Sequence, residues 1–297
     1  MKHIPVLLEE SIRGLNLKKG NIFVDGTLGG GGHSNYVCQK YNNQVKVIGI
    51  EVDEQIIKEA EKILKDCNVQ IQRSNFQDLD KVLNKLGVEE IDAILLDLGL
   101  NSYQLDESGR GFSFQRDEPL LMTMKKDISD DDLTAKLIIN EWSEDSLKDI
   151  FYGYGEERFA KVIAHKIVEL REEKEIETTF DLVDIIKKAI PVWYQKKKGI
   201  HYATKTFQAI RIAVNDELRI LEKGLEIGFK YLKNNGRLVV ISFHSLEDRI
   251  VKRFFREKSK EKIAILITKK PISPGQEEIQ KNPRSRSAKL RILEKIS

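Results

Sequence analysis

The stretch that decides the fold is "DGTLGGGGHS", residues 25–34, which places four consecutive glycines between an apolar run and a helix start. Ordering so flexible a segment costs conformational entropy. We therefore expect a favourable contact in which another group comes very close to the backbone of this segment. A glycine-rich turn after the first strand of an α/β sheet is a usual binding place for a nucleotide-like ligand. The amides and positive end of the following helix then face that ligand. A plain loop without a ligand is the alternative.

Short apolar runs alternate with helical patterns around this loop. The four predicted strands cover residues 21–26, 45–52, 69–73 and 91–99. The second and fourth runs are almost continuously apolar, which is typical of parallel strands buried on both faces. Of the helices between them, Asp53 is expected to cap the second and Gly87 to end the third. This alternation predicts an α/β fold with a doubly wound, Rossmann-like parallel sheet.

The strand–helix alternation stops after about residue 102 and returns near residue 206. The intervening segment is helical and polar. A long helix is predicted over 206–233 and a strong strand over 237–243, followed by a closing antiparallel pair over 262–268 and 288–295. The sequence therefore predicts a core of residues 1–104 and 206–297, interrupted by a helical insertion of residues 105–205.

Composition restricts the class of protein. The two cysteines, Cys38 and Cys67, form no CxxC or Cys/His cluster, so neither a disulfide framework nor a metal site is expected. No apolar run is long enough to span a bilayer, which makes the cytoplasm the expected location. Residues 251–297 carry 14 Lys or Arg against 5 Asp or Glu. This basic segment favours contact with a polyanion such as nucleic acid, and a solvated basic face is the alternative.

Three acidic residues lie where strands are predicted to end. Glu51 follows the glycine loop by about twenty residues, a position from which a carboxylate can accept hydrogen bonds from ribose hydroxyls. Asp97 ends the fourth strand, where an unpaired buried carboxylate would be costly without a ligand or cationic partner. Asp25 would repel a pyrophosphate but suits the ammonium or sulfonium of S-adenosylmethionine. The loop also lacks the G-x-G-x-x-G spacing, so a methyl donor is favoured over NAD.

Several stretches together resemble the bacterial RsmH/MraW family. They are residues 3–12, 25–34, 95–114, 154–164, 203–218, 236–255 and 282–292, and the likeness extends over the whole chain. Members are S-adenosylmethionine-dependent methyltransferases that act on N4 of a cytosine in the decoding region of small-subunit rRNA. The resemblance implies a class I methyltransferase core with a helical substrate-recognition insertion.

The resemblance also implies a set of cofactor contacts. Carried over by position, they are Gly31, Gly32, His33, Glu51, Phe76, Asp97 and Gln104. His33 has an alternative role as a residue that merely begins a helix, and Phe76 one as a core residue.

The predicted catalytic residues are Asp97 and His244. Methylation of an exocyclic amine needs an acceptor that orients the amine and takes up its proton. His244 follows the predicted fifth strand and is expected to act as acceptor or relay, unless it only holds the start of the next helix. Neither cysteine lies in a catalytic motif, which argues against methylation at carbon.

RNA is expected to contact a basic rim. The predicted RNA-binding residues are Lys205, Arg211, Arg284 and Arg286, with Lys196, Lys197 and Lys198 beside them. The implied partner is small-subunit rRNA, alone or in the assembled small ribosomal subunit. A homodimer stays open, and no membrane partner is expected.

Departures from the family pattern concern the substrate side. Glu51 replaces the usual Asp of the family. Tyr103 and Tyr202 replace prolines, and Lys205 replaces an arginine. They leave open an amino-methyltransferase with another RNA target. DNA is disfavoured because "DLGL" replaces the usual proline motif after the fourth strand. Two further classes stay open, namely a non-catalytic RNA-binding assembly factor and an NAD-linked oxidoreductase.

Overall fold

The computed structural model describes residues 4–125, 128–129, 131–196 and 199–297, with the side chain of Ser102 excepted. The chain divides into two compact units. The core unit comprises Met1–Gly99 and Leu218–Ser297, and the helical unit comprises Leu100–Glu217. The insertion thus begins five residues before the expected residue 105 and ends twelve residues after the expected residue 205.

The core unit contains a seven-stranded sheet in the order β3-β2-β1-β4-β5-β7-β6. Its strands are β1 Ile22–Asp25, β2 Lys46–Glu51, β3 Val69–Arg73, β4 Ile91–Asp97, β5 Leu232–Ser242, β6 Ala264–Leu266 and β7 Lys289–Lys295. Strands β1 to β5 pair in parallel, and β7 pairs antiparallel with both β5 and β6. The predicted Rossmann-like sheet and its closing antiparallel pair are confirmed.

The described residues form fourteen α-helices. They are α1 Leu8–Leu15, α2 Gly32–Lys40, α3 Glu54–Ile63, α4 Leu79–Lys85, α5 Ser102–Asp106, α6 Ala135–Glu141, α7 Glu144–Gly153, α8 Ala160–Arg171, α9 Thr179–Ala189, α10 Val192–Gln195, α11 Thr204–Asn215, α12 Glu217–Tyr231, α13 Ser245–Lys260 and α14 Gln276–Lys281. Asp53 caps α3 as predicted, because its side chain accepts a hydrogen bond from the Gln55 N–H at 2.9 Å. Gly87 follows the end of α4 with a φ of 64°, the left-handed conformation expected after a helix.

The single long helix predicted over 206–233 is wrong. The segment forms two helices, α11 and α12, which are separated at Asp216. Asp216 adopts a left-handed conformation with a φ of 50°, and its N–H closes α11 by donating to the Ile212 carbonyl. No glycine or proline marks this break in the sequence. Because α11 packs on α6 and α7, it belongs to the helical unit, which explains the later unit boundary.

Both faces of the parallel sheet are buried. Val24, Ile94 and Leu96 join a cluster with α4, α12 and α13 on one face. Phe23 and Leu95 join a second cluster, with α1 and α2, on the other face. This double burial accounts for the nearly continuous apolar runs of β2 and β4.

The helical unit has an apolar core of its own. Buried residues from α6, α7, α8, α9 and α11 form it, including Ile138, Phe151, Ile163, Leu182 and Ile210. None of these side chains exposes measurable surface. The insertion is therefore a packed unit rather than an extended loop.

Candidate active site

Parallel pairing brings three carboxylates to one edge of the core sheet. Asp25, Glu51 and Asp97 are the last residues of β1, β2 and β4. Strand β1 lies between β2 and β4, so these carboxyl ends are neighbours. This is the edge at which open α/β sheets bind ligands.

Glu51 holds the glycine loop in place. Its Oε2 accepts a hydrogen bond from the Gly29 N–H at 3.1 Å, and its Oε1 accepts from the N–H groups of Val52 and Asp53 at 2.8 and 3.0 Å. Burial raises the pKa of Glu51, while these three amide donors oppose the rise. Oε1 already accepts two N–H groups, whereas Oε2 accepts one and retains acceptor capacity for a ligand hydroxyl. The ribose contact predicted for Glu51 stays a prediction.

Asp25 and Asp97 are enclosed carboxylates with unused oxygen atoms. Asp25 is 1% exposed, and the Oδ1 atoms of both residues have no hydrogen-bond partner. Burial raises the pKa of Asp25 to about 6. The pKa of Asp97 is raised well above its usual value, first by burial and then by the negative charges of Asp25 and Glu247. Two uncompensated carboxylates at one edge create a strong preference for a cationic ligand.

Neighbouring hydroxyls contact the Asp25 carboxylate and the Asp97 backbone, and sequence reasoning missed them. The Ser34 hydroxyl donates to Asp25 Oδ2 at 2.6 Å. The Asp97 N–H donates to Thr27 Oγ1 at 2.6 Å. Both hydroxyl residues lie within the quoted stretch "DGTLGGGGHS", which was the available signal. Asp97 keeps 18% of its side chain exposed, so a ligand can reach it.

The four loop glycines do different things. A Cβ atom at Gly31 would lie 2.9 Å from the Leu64 side chain, and one at Gly32 would lie 2.5 Å from Pro5. The lack of a side chain at these two glycines makes room for Leu64 and Pro5. From the sequence, this room was expected to serve a ligand. Gly30 has open space around the equivalent position. Open space on the Cβ side exists at Gly30, and the cofactor contacts predicted for Gly31 and Gly32 stay predictions.

His33 and Phe76 both make protein contacts. His33 is 6% exposed; its Nε2 lies 3.2 Å from the Val6 carbonyl oxygen and its Nδ1 3.8 Å from Asp97 Oδ2. Among the ion pairs of the described residues, His33 is the basic side chain that lies beside Asp97. The Phe76 ring packs closely on Gly224 of α12, where a Cβ would lie 2.3 Å from it. Phe76 thus belongs to the core cluster, and its predicted cofactor contact is untested.

His244 begins α13. Its Nδ1 accepts the Glu247 N–H at 3.4 Å, while Glu247 Oε2 accepts the N–H groups of Phe243 and His244 at 2.8 and 3.2 Å. This reciprocal capping box is the helix-start role considered above. Because the capping bond occupies the acceptor nitrogen, Asp97 is the better placed acceptor of the two predicted catalytic residues.

Gln104, Lys205 and Arg211 lie in the helical unit. The Gln104 carboxamide accepts the Asn101 N–H at 3.1 Å and completes the capping box of α5. Lys205 Nζ donates to the Glu156 carbonyl at 2.6 Å. Arg211 forms two 2.8 Å hydrogen bonds with Glu217, so its charge is neutralised within the unit. Of the flanking lysines, Lys197 and Lys198 lie outside the described residues.

Arg284 and Arg286 lie on the short 3-10 helix Pro283–Ser287, and both are exposed. Arg286 also lines a cleft of about 250 Å³ in the core unit. The other lining residues are Phe243, His244, Ser245, Ser273, Ser287, Ala288 and Lys289. The first residues of α13, an arginine, a lysine and serine hydroxyls thus surround one polar cleft, a donor set suited to a phosphate group.

The described helices include none that is both long and apolar enough to cross a membrane.

Comparisons with known proteins place the chain in a family. Residues 1–296 match the model of the MraW methylase family. Two curated proteins of Clostridium botulinum, strains Loch Maree and Kyoto, are named ribosomal RNA small subunit methyltransferase H. Each is 48% identical over 311 aligned residues, covering 99% of this chain and 99% of the relative. A crystal structure of an rRNA methylase from Streptococcus thermophilus aligns with a TM-score of 0.47 and 12% identity, covering 100% of this chain and 99% of the other.

The chain belongs to the MraW methylase family.

Proposed function

We propose that this protein transfers the methyl group of S-adenosylmethionine to N4 of a cytosine in the decoding region of small-subunit rRNA. The family and the 48% identical relatives support the coarser activity, methylation of small-subunit rRNA with S-adenosylmethionine. The cytosine N4 atom and its decoding-region site are the finer proposal. The observation that carries the chemistry is the pair of unpartnered carboxylates, Asp25 and Asp97, at the ligand-binding sheet edge.

The residues at this edge fit S-adenosylmethionine. Its ammonium and sulfonium groups are cations, and the Oδ1 atoms of Asp25 and Asp97 are acceptors without partners. Glu51 would hold the ribose hydroxyls from the next strand. The open space at Gly30 admits a ligand close to the backbone. Gly31, Gly32, His33, Phe76 and Gln104 complete the proposed set.

When bound, S-adenosylmethionine supplies an electrophilic methyl group. Asp97 accepts a hydrogen bond from the exocyclic amine. The carboxylate thereby orients the nitrogen and takes up the proton that the nitrogen loses. The raised pKa of Asp97 makes it a stronger proton acceptor than an exposed aspartate. Most of the acceleration comes from alignment, which can contribute about 7 kcal/mol or more. His244 contributes by fixing the start of α13 and the adjacent end of β5.

We further propose that Lys205, Arg284 and Arg286 contact RNA phosphates, and that the helical unit recognises the substrate. The exposed arginines and the polar cleft beside Arg286 support this assignment. Arg211 contributes less, because Glu217 already neutralises its charge. The proposed substrate is small-subunit rRNA, alone or in the assembled small ribosomal subunit, and the proposed location is the cytoplasm.

The deciding experiment incubates the protein with tritiated S-adenosylmethionine and small subunits that lack the modification. Nucleoside mass spectrometry then identifies the product. Label in N4-methylcytidine at one decoding-region site is the expected result. Label in another nucleoside would overturn the cytosine N4 assignment, and cofactor binding without label on any RNA would favour a non-catalytic assembly factor.

Charge reversal tests the RNA contacts separately. The double variant Arg284→Glu/Arg286→Glu is expected to weaken RNA binding and to leave cofactor affinity unchanged. A matched control, Lys18→Glu/Lys19→Glu, makes the same change in charge at exposed residues before β1, at the opposite end of the strands. If both double variants weaken RNA binding equally, the effect comes from the change in net charge and not from a local contact.

A further inference from the structure

An exposed tryptophan lies at the centre of a cationic aromatic cluster in the helical unit. Trp193, on α10, is 57% exposed. Its ring meets Phe159 and Tyr194 edge to face, with centroids 6.0 and 5.8 Å apart. The Arg158 guanidinium lies 5.2 Å from the Trp193 ring centroid and 5.1 Å from that of Phe159. We call Arg158, Phe159 and Trp193 the aromatic platform.

Hydrogen bonds of the buried Glu157 connect two residues of the aromatic cluster. The Tyr194 hydroxyl donates to Glu157 Oε2 at 3.1 Å, and Glu157 Oε1 accepts the Phe159 N–H at 2.9 Å. Glu157 is fully buried. Burial and this carboxylate raise the pKa of Tyr194 to about 12, so its hydroxyl stays a donor at neutral pH. These hydrogen bonds hold Tyr194 and the Phe159 backbone, the immediate neighbours of the Trp193 ring, which lowers the entropy cost of ordering the platform on binding.

The sequence segment that carries Trp193 is basic. Between Asp184 and Asp216 the sequence contains seven Lys or Arg and no Asp or Glu. Lys187 and Lys188 end α9, and Lys196 follows α10. The Gln195 side chain ties these ends together by donating to the carbonyls of Lys187 and Ile190 at 2.9 and 3.1 Å. An exposed indole thus lies in a segment whose charge complements a polyphosphate chain.

We propose that the aromatic platform stacks an unpaired base of an RNA strand, with the neighbouring lysines on its phosphates. Base faces stack on indole rings and on arginine guanidinium planes, and such stacking tolerates any base. A large exposed aromatic side chain also fits a protein partner, but an acid-free basic segment around it favours RNA. The inference deepens the proposed function by adding a second contact for the same substrate class, outside the sheet edge.

Tryptophan fluorescence tests this contact without relying on methyl transfer. The chain has two tryptophans, so Trp142→Phe leaves Trp193 as the single indole. The probe is a single-stranded 12-nucleotide RNA of mixed sequence, and inorganic polyphosphate is the base-free control. The RNA is expected to quench Trp193 emission, whereas polyphosphate at equal occupancy leaves it almost unchanged. Equal quenching by both, or by neither, would overturn the stacking contact.

Affinity gives an independent readout in the otherwise unaltered chain. Trp193→Ala is expected to weaken binding of fluorescently labelled RNA by about 5- to 150-fold, the usual range for loss of one stacked base. Trp193→Tyr should recover most of that loss, and the neighbouring Val192→Ala, at a 60% exposed residue, is the matched control. Unchanged affinity of Trp193→Ala would overturn the proposal.

The two proposals fail in distinguishable ways. Full methylation of rRNA by a Trp193→Ala variant with normal RNA affinity would reject the platform and retain the enzyme. Quenching of Trp193 by RNA in a protein that methylates no RNA would retain the platform and reject the proposed function. A photo-crosslinking residue at position 193 should label RNA in small subunits, and labelling of protein alone would reject the platform.

Discussion

Buried carboxylates occur in two regions of the core unit and have opposite electrostatic surroundings. On α13, Asp248 is 9% exposed, and it accepts two hydrogen bonds from Arg291 at 2.7 and 3.1 Å and one from Lys289 at 3.3 Å. These cations lower its pKa. At the sheet edge, Asp25 and Asp97 each keep an unpartnered oxygen, and their pKa values are raised.

Asp248 thus belongs to a structural ion pair, whereas Asp25 and Asp97 belong to the proposed ligand site. The cations that pair with Asp248 belong to β7, so these ion pairs join α13 to β7. Asp248 therefore requires no ligand to compensate its charge. Asp25 and Asp97 repel each other, and His33 lies at 3.8 Å, beyond hydrogen-bond distance. We expect the cationic groups of S-adenosylmethionine to compensate the two carboxylates, since the chain itself does not. Perturbed carboxylates of this kind cluster at functional sites.

The largest expected effect is on catalysis, from Asp97→Asn. Asparagine keeps the shape but cannot take up the amine proton, so kcat should fall by about 100-fold or more. The melting temperature at pH 7.5 should stay level or rise, because a buried like charge is removed. Single-turnover methyl transfer and thermal melting measure both quantities. An unchanged kcat, or a marked drop in melting temperature, would show that Asp97 belongs with Asp248 as a structural carboxylate.

Arg291→Met is the counterpart in the other region. It leaves Asp248 buried without its main cation, so the free energy of unfolding should fall by about 3–5 kcal/mol. Urea denaturation measures the change. Adding Asp248→Asn should recover most of the loss, since the stranded charge is then gone. A single variant as stable as the unaltered protein would refute the structural assignment of this pair.

The sequence predicted the sheet edge well because strand ends are encoded locally. Apolar runs followed by Asp25, Glu51 and Asp97 placed three carboxylates at one edge, as parallel pairing requires. The antiparallel closing strands were likewise visible as short apolar runs.

Contacts between distant residues could not be predicted. Gly31 and Gly32 make room for Leu64 and Pro5, which only the folded chain brings near. The break at Asp216 uses a left-handed residue that no glycine signals. Arg211 looked like an RNA contact because its partner, Glu217, becomes visible only when the α11–α12 connection is known.

Cofactor binding should depend on pH through Asp25. Asp25 has a pKa of about 6 in the ligand-free fold, above its ordinary value of 3.8. A cationic ligand needs the ionised form, so affinity for S-adenosylmethionine should fall roughly tenfold per pH unit below about pH 6. Asp25 by itself should stabilise the ligand-free fold increasingly as pH falls from about 6 to about 4, because the folded state binds the extra proton over this range.

Calorimetric titration between pH 5 and pH 8 measures this linkage. In Asp25→Asn, the number of protons linked to cofactor binding should fall by about one. Any pH dependence of affinity that remains is attributed to Asp97. As the control, Asp248→Asn should leave the slope unchanged, because the pKa of Asp248 lies below this window. A slope in Asp25→Asn equal to that of the unaltered protein would remove Asp25 from the ligand site.

The smallest effect distinguishes two glycines in the loop beside these carboxylates. Gly31 has a φ of 78° and faces Leu64 at 2.9 Å, so Gly31→Ala should cost about 1–3 kcal/mol of unfolding free energy through backbone strain and crowding. Gly30 has open space and no left-handed backbone, so Gly30→Ala should change stability by no more than about 0.5 kcal/mol. If a ligand uses that space, the same methyl group should weaken S-adenosylmethionine binding several-fold. A Gly30→Ala protein with unchanged stability and unchanged cofactor affinity would show that the ligand keeps away from this part of the loop. The carboxylates alone would then define the site.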